Sequence, residues 1–165
     1  MHIMIIGAGG MIGAKLTQRL AAEPSLAGRD ITRATLVDVV APRVPKALDG
    51  VAASHIADVS QPGTAERLVG LRPDMIFHLA AIVSGEAEAD FDKGYRINLD
   101  GTRALFEAIR QEGLRQPYKP RVVFASSIAV FGAPFPDRIG DEFVTAPLTS
   151  YGTQKAICEL LLADY

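Results

Sequence analysis

Tyr151 and Lys155 stand four residues apart in the stretch SYGTQKA. On a helix that spacing puts both side chains on one face. A tyrosine hydroxyl, with a pKa of about 10, is a poor base at neutral pH. Lowering such a pKa by about three units takes ~4 kcal/mol. One cation about 4 Å away, at an effective dielectric near ~20, supplies roughly that much. Lys155 is such a cation, and Ser127 in FASSIAVFG offers a second hydroxyl that can hold a substrate alcohol. A Ser-Tyr-Lys set can take the proton of an alcohol while hydride leaves the same carbon for a nicotinamide. Tyr-x-x-x-Lys alone is a weak signal, because the same spacing arises on any solvated helix.

The stretch IGAGGMIG, residues 6–13, gives the pair company. It lies between an apolar run and an amphipathic stretch, where a strand would turn into a helix. A helix N-terminus presents free backbone N–H groups and the positive end of the dipole, and glycines let a phosphate approach them. The spacing is G-x-x-G-x-x-G over Gly7, Gly10 and Gly13, with Gly9 extra. Gly7 is expected to make the turn, Gly10 to admit a pyrophosphate beside Met11 and Ile12, and Gly13 to pack helix against strand. The plain alternative is a glycine-rich turn without a ligand. An acid further along supports the first reading. Asp38 can accept hydrogen bonds from both hydroxyls of an adenosine ribose and would repel a 2′-phosphate, which favours NAD over NADP. Arg43, nearby, could soften that preference. Asp58 could take the adenine amino group with Val59 beside the ring, or be a solvated loop acid.

These residues need a scaffold that brings strand ends together. Apolar runs at residues 2–6, 33–38, 51–58, 74–81 and 121–127 read as strands. Residues 11–22, with Ile12, Leu16 and Leu20 at helical spacing, read as a helix. So do residues 61–70 with Ser60 as cap, 91–112, and 149–164. The alternation predicts an α/β fold, a doubly wound parallel sheet with helices on both faces, its strands buried on both sides. Such a dinucleotide domain normally has six strands and five are counted. The expectation is therefore a single NAD-binding domain over residues 1–165, the N-terminal part of a longer protein, cut before its last strands and substrate lobe. Two proline-bearing loops stand out, residues 41–50 after the second strand and 132–147 after the fifth; the latter is long for a plain connector and is a candidate to border a site.

Composition excludes more than it assigns. The net charge of −2 and 22% charged residues give no reason to expect nucleic acid or an anionic membrane as partner. A single cysteine, Cys158, excludes an internal disulfide and fits a reducing, cytoplasmic setting. Cys158 itself reads as packing. No spacing joins His2, His55 and His78 to cysteine or carboxylates as a metal set, so no metal is expected.

The ordered motifs GAGGMIG, Asp38, Asp58-Val59, HLAA, NLDGT, FASSIAVFG and PLTSYGTQK span nearly the whole chain. Together they resemble the extended short-chain dehydrogenases/reductases, the NAD-dependent epimerase/dehydratase group. The resemblance implies Ser127, Tyr151 and Lys155 as catalytic residues. It places Leu79, Ala80, Ala81 and Asn98 along the NAD, with Tyr151 and Lys155 also meeting it. It further implies a homodimer formed by the two helices holding Asn98 and Tyr151. Ser127 is followed by Ile128-Ala129, not the Asp-Glu of dehydratases, and Val130-Phe131-Gly132 departs mildly from the Val-Tyr-Gly usual in epimerases. AAIVSGEAEADFDKGYRINLDGT looks most like the branch that oxidises the 2-hydroxyl of D-erythronate, a four-carbon sugar acid. On that reading Ser84, in the loop after the fourth strand, joins Ser127 and Tyr151 as a substrate contact; a loop-capping role is equally open. A nucleotide-sugar 4-epimerase is the rival activity. A non-catalytic dinucleotide sensor is a third, against which the Tyr-Lys pair argues.

Overall fold

A computed structural model describes all 165 residues, Met1–Tyr165. Strand β1 (His2–Ile6) leads into α1 (Met11–Ala22), followed by a small hairpin of β2 (Ser25–Leu26) and β3 (Arg29–Asp30). Then come β4 (Arg33–Asp38), β5 (Ala52–Ile56), α2 (Thr64–Val69), β6 (Met75–His78), α3 (Ser84–Ala89) and α4 (Phe91–Gly94). A π-helical stretch, Tyr95–Asp100, joins α4 to α5 (Gly101–Arg115), and β7 (Arg121–Phe124) and α6 (Ser150–Asp164) complete the chain. The main sheet has five parallel strands in the order β5-β4-β1-β6-β7, the doubly wound arrangement expected. No helix is long and apolar enough to cross a membrane.

The alternation of side chains across β1 divides the core. Met4 and Ile6 face Leu68 and Val69 of α2 and Leu105 and Phe106 of α5. Ile3 and Ile5 face the other way, toward Leu20 of α1 and Leu36. All five residues of β1 are buried. Each such apolar side chain removed from water contributes about 1.5–3 kcal/mol. The expectation of strands buried on both faces holds for β1 and largely for β4, but not for β5 or β7, whose residues are mostly exposed or half-buried because these strands form the sheet's two edges. Register levels the inner strands: Ile6 pairs with Val37 on one side and His78 on the other. The chain therefore leaves β1, β4 and β6 at one edge, side by side.

Several local expectations are corrected. Of the residues at helical spacing in α1, Leu20 is buried but Ile12 is exposed, and Gly13 and Thr17 are buried with Leu20. Ser60 does not cap α2. Gly63 holds that place in a left-handed conformation, φ 77°, and Ser60 turns to Asp58. Ser84 lies not in a loop but at the start of α3. The long helix expected at 91–112 is interrupted by the π-helical stretch, which holds Asn98. The β2–β3 hairpin went unforeseen because its strands are two residues long and carry no alternation.

At the end of β6, His78 is buried, with its Nε2 2.8 Å from Thr102 Oγ1. The Thr102 hydroxyl donates to the Asn98 carbonyl, so it accepts from His78 Nε2–H, and Nδ1 is left without a partner. Burial, with Lys155 adding to it, lowers the His78 pKa to about 3. The fold thus favours neutral imidazole; this contribution is present above the unfolded pKa of about 6.5 and is lost as pH falls toward 3. In urea titrations, the wild type should lose on the order of 3 kcal/mol more than His78→Gln between about pH 7 and pH 4. Equal losses would contradict the neutral, buried assignment.

Candidate active site

Where β1, β4, β5 and β6 end, the chain encloses a cavity of about 580 Å³. Gly7, Gly10, Asp38, Asp58, Val59, Leu79, Ala80 and Ala81, eight residues singled out from the sequence, all line it. Met11 and Ile12 stand exposed on the first turn of α1, with Gly13 buried behind them. Residues assigned no role from the sequence also line it, among them Gly9, Val39, Val40 and Ala57 near the acids, Ile82 after β6, and Glu86, Lys93 and Arg96 from the helices. The one sequence signal for part of this set is the pair Val39-Val40 directly after Asp38, which the structure leaves exposed.

The loop geometry follows from close backbone approach. Gly7 has φ +94°, and a Cβ there would lie 2.6 Å from the Ala80 nitrogen. The N–H groups of Gly7 and Ala8 both donate to the Val37 carbonyl, at 2.8 and 3.0 Å. A Cβ on Gly13 would sit 2.1 Å from the Gly7 carbonyl oxygen, so Gly13 packs helix against the loop itself. Gly10 differs: a Cβ there would meet only the Gly7 oxygen, at 3.4 Å. Gly10 also caps α1 without any side-chain hydrogen bond. Asp38 reaches the loop, its Oδ2 accepting the Gly9 N–H at 2.9 Å. Asp58 accepts the Ser60 N–H at 2.9 Å and hydroxyl at 2.7 Å, and Arg96 lies 3.7 Å away. Burial pushes the Asp58 pKa up, but hydrogen bonds from Ser60 and Gln61, with the Arg96 charge, outweigh it and hold the carboxyl below its usual value.

A second group of residues assembles on the β7 side. The Thr149 hydroxyl caps α6 by accepting the Gly152 N–H at 3.0 Å. Gly152 packs on the turn after Ser127: a Cβ there would lie 2.1 Å from the Ala129 oxygen. One turn on, Lys155 is 3% exposed, and its Nζ donates to the Ala125 carbonyl at 2.9 Å. That ammonium lies 4.7 Å from the centre of the Phe124 ring and 5.8 Å from the centre of the Tyr151 ring. No carboxylate pairs with it, and burial lowers its pKa. Ser127 Oγ accepts the Ala129 N–H at 3.2 Å. The strand end bearing Ser127 and the helix bearing Tyr151 and Lys155 are thus packed together through Ala125, Ala129 and Gly152.

Asn98 links the two groups. Its Oδ1 accepts the Ile82 N–H at 2.9 Å, and its Nδ2 donates to the Ile82 carbonyl at 3.2 Å and to Gln154 Oε1 at 2.8 Å. Gln154 is fully buried next to Lys155, and its Nε2 sits where a Cβ on Gly94 would be 2.7 Å away. Cys158 is buried as packing and its Sγ is 3.3 Å from the Asn98 carbonyl. Ser84, half-buried, follows two residues after Ile82.

The glycines separate folding from binding. Gly7→Ala should destabilise the fold on the order of 3 kcal/mol, since its conformation and contact both exclude a side chain. Gly10→Val should leave the melting temperature nearly unchanged but abolish NAD binding in calorimetry. Wild-type NAD affinity in Gly10→Val would contradict the assignment of the loop to phosphate.

Comparison with known proteins finds relatives that share this sequence and this fold. D-erythronate dehydrogenase of Cupriavidus necator is 42% identical over 170 aligned residues, which cover all of this chain and 50% of that protein. The chain thus spans about half the length of this relative. The solved structure of a nucleoside-diphosphate-sugar epimerase from Agrobacterium tumefaciens superposes with a TM-score of 0.97 at 67% identity, covering all of this chain and 48% of that one. UDP-glucose 4-epimerase of Thermus thermophilus, solved in complex with NAD, gives a TM-score of 0.80 at 28% identity, covering all of this chain and 50% of that one. The NAD dependent epimerase/dehydratase family matches residues 3–165, and the chain belongs to it.

Proposed function

We propose that this chain carries the cofactor- and proton-handling part of an NAD-dependent dehydrogenase acting on the 2-hydroxyl of a four-carbon sugar acid, D-erythronate. The observation that carries the chemistry is the setting of Lys155. A buried ammonium without a carboxylate, bonded to the Ala125 carbonyl, stands 5.8 Å from the centre of the Tyr151 ring, where it acts on negative charge that forms during the reaction. Tyr151 takes the proton of the substrate alcohol, Ser127 orients that alcohol through its hydroxyl, and Lys155 stabilises the phenolate form. NAD, when bound, supplies the hydride acceptor. The glycine loop cradles its pyrophosphate over Gly7, Gly10, Met11, Ile12 and Gly13, and Asp38 holds the adenosine ribose. Asp58 and Val59 meet the adenine, and Leu79, Ala80, Ala81 and Asn98 follow the rest of the cofactor. The cradle fits such a group: Gly10 is open and the first turn of α1 has no side-chain cap. Ser84 contacts the substrate together with Ser127 and Tyr151.

The choice of sugar acid rests on likeness to D-erythronate dehydrogenase over the whole chain. A substrate lobe outside residues 1–165 completes the enzyme. The working form is a cytoplasmic homodimer built on the helices of Asn98 and Tyr151, on which Phe91 and Leu160 are exposed. A nucleotide-sugar 4-epimerase is the second reading, favoured by the name of the Agrobacterium tumefaciens structure. The full-length protein given NAD and D-erythronate should form NADH, seen by its absorbance. Tyr151→Phe should lower that rate on the order of a thousandfold or more with NAD affinity nearly unchanged. No NADH from folded, NAD-bound protein, with interconversion of UDP-glucose and UDP-galactose instead, would decide for the epimerase.

A further inference from the structure

Glu88 has been given no role so far, and it lies on α3, a helix the sequence did not disclose. Its Oε1 accepts the backbone N–H of Tyr151 at 2.8 Å, across 63 residues of chain. The first turn of α6 is therefore capped twice. Thr149, just before the helix in the chain, takes the amide of Gly152, and Glu88, from another helix, takes the amide of Tyr151. A carboxylate is favourable at a helix N-terminus, both by the dipole and by a charge-assisted hydrogen bond.

The position of this contact matters more than its strength. On its other side α6 is fixed by Gly152, packed against the Ala129 carbonyl, and by Lys155, bonded to Ala125. Those anchors hold the helix to the strand end carrying Ser127 but leave the Tyr151 amide unrestrained. Helix α3 is itself tied down, because Glu86 pairs with Lys93 of α4 at 2.5 Å and both line the cofactor cavity. Glu88 thus connects the wall of the cofactor cavity to the backbone from which the Tyr151 phenol projects.

We propose that Glu88 is a positioning residue: it sets the placement of Tyr151 relative to the cofactor cavity by holding the Tyr151 amide. This rests on the reading of Tyr151 as proton acceptor. In Glu88→Ala the backbone loses that restraint, whereas Glu88→Gln keeps an oxygen able to accept the same N–H. Reacting groups displaced by about 1 Å lose rate steeply, on the order of a hundredfold at the extreme.

The experiment uses the full-length protein saturated with NAD. Residue-resolved amide hydrogen exchange should speed up roughly tenfold or more at Tyr151 in Glu88→Ala and stay unchanged at Gly152, which Thr149 holds. The kcat with D-erythronate should fall about tenfold, with NAD affinity within about twofold of wild type, and Glu88→Gln should recover most of it. Unchanged exchange at Tyr151 in Glu88→Ala overturns the proposal. So does parallel loss of kcat and NAD affinity, or Glu88→Gln being as impaired as Glu88→Ala. If wild type turns over no D-erythronate, the substrate reading fails, and the exchange at Tyr151 still decides whether Glu88 holds that backbone.

Discussion

The site depends on a backbone meeting a backbone. At the end of β1 the chain turns through Gly7 so close to the exit of β6 that no side chain fits between them. This contact needs a positive φ and a missing Cβ at one residue, and β1 flanked by β4 and β6 in level register. Once those hold, the loop before α1, the acid after β4 and the small residues after β6 converge. Asp38 then reaches the Gly9 amide, and the wall of Leu79, Ala80 and Ala81 lies opposite. The cavity follows from strand order, since the chain crosses from one side of β1 to the other between β5 and β6.

A buried cation sets the other half. Removing the Lys155 ammonium from water is costly, and no ion pair compensates it. A carbonyl hydrogen bond and the face of Phe124 offset part of that cost, the latter by about 0.5–2 kcal/mol. The remaining penalty makes the lysine responsive to any negative charge that forms nearby. Around it the polar groups are bonded to one another: Asn98 to Ile82 and Gln154, Thr102 to Asn98, and His78 to Thr102. Such a network fixes the positions of groups that apolar packing alone would leave free to shift.

Much of this was legible from residue patterns. The glycine spacing located the β1–α1 turn, and apolar runs located the inner strands, because burial on both faces demands such runs. Eight expected cofactor residues line one cavity, and the Tyr-Lys pair shares a helix with Thr149 as its cap. What escaped was set by tertiary contact. Ser60 has the chemistry of a cap, but Asp58 and Arg96 compete for its hydroxyl. Ile12 matched the helical period, yet Gly13 must face the loop, which rotates Ile12 outward. Helix α3 is short and acidic, with one buried residue, so it left no apolar stripe to read. The π-helical stretch holds Asn98, whose side chain bonds to Ile82 and Gln154, residues 16 and 56 positions away that no local pattern connects.

The central claim is that NAD binds where β1, β4 and β6 end. Backbone amide chemical shifts followed during titration with NAD test it directly. Shifts concentrated at Gly7, Gly9, Gly10, Asp38 and residues 79–82, with the opposite edge of the sheet around Arg29, Asp74 and Lys119 unmoved, are the expected result. Shifts concentrated at that opposite edge, or saturation by NAD with the glycine loop unmoved, would contradict it.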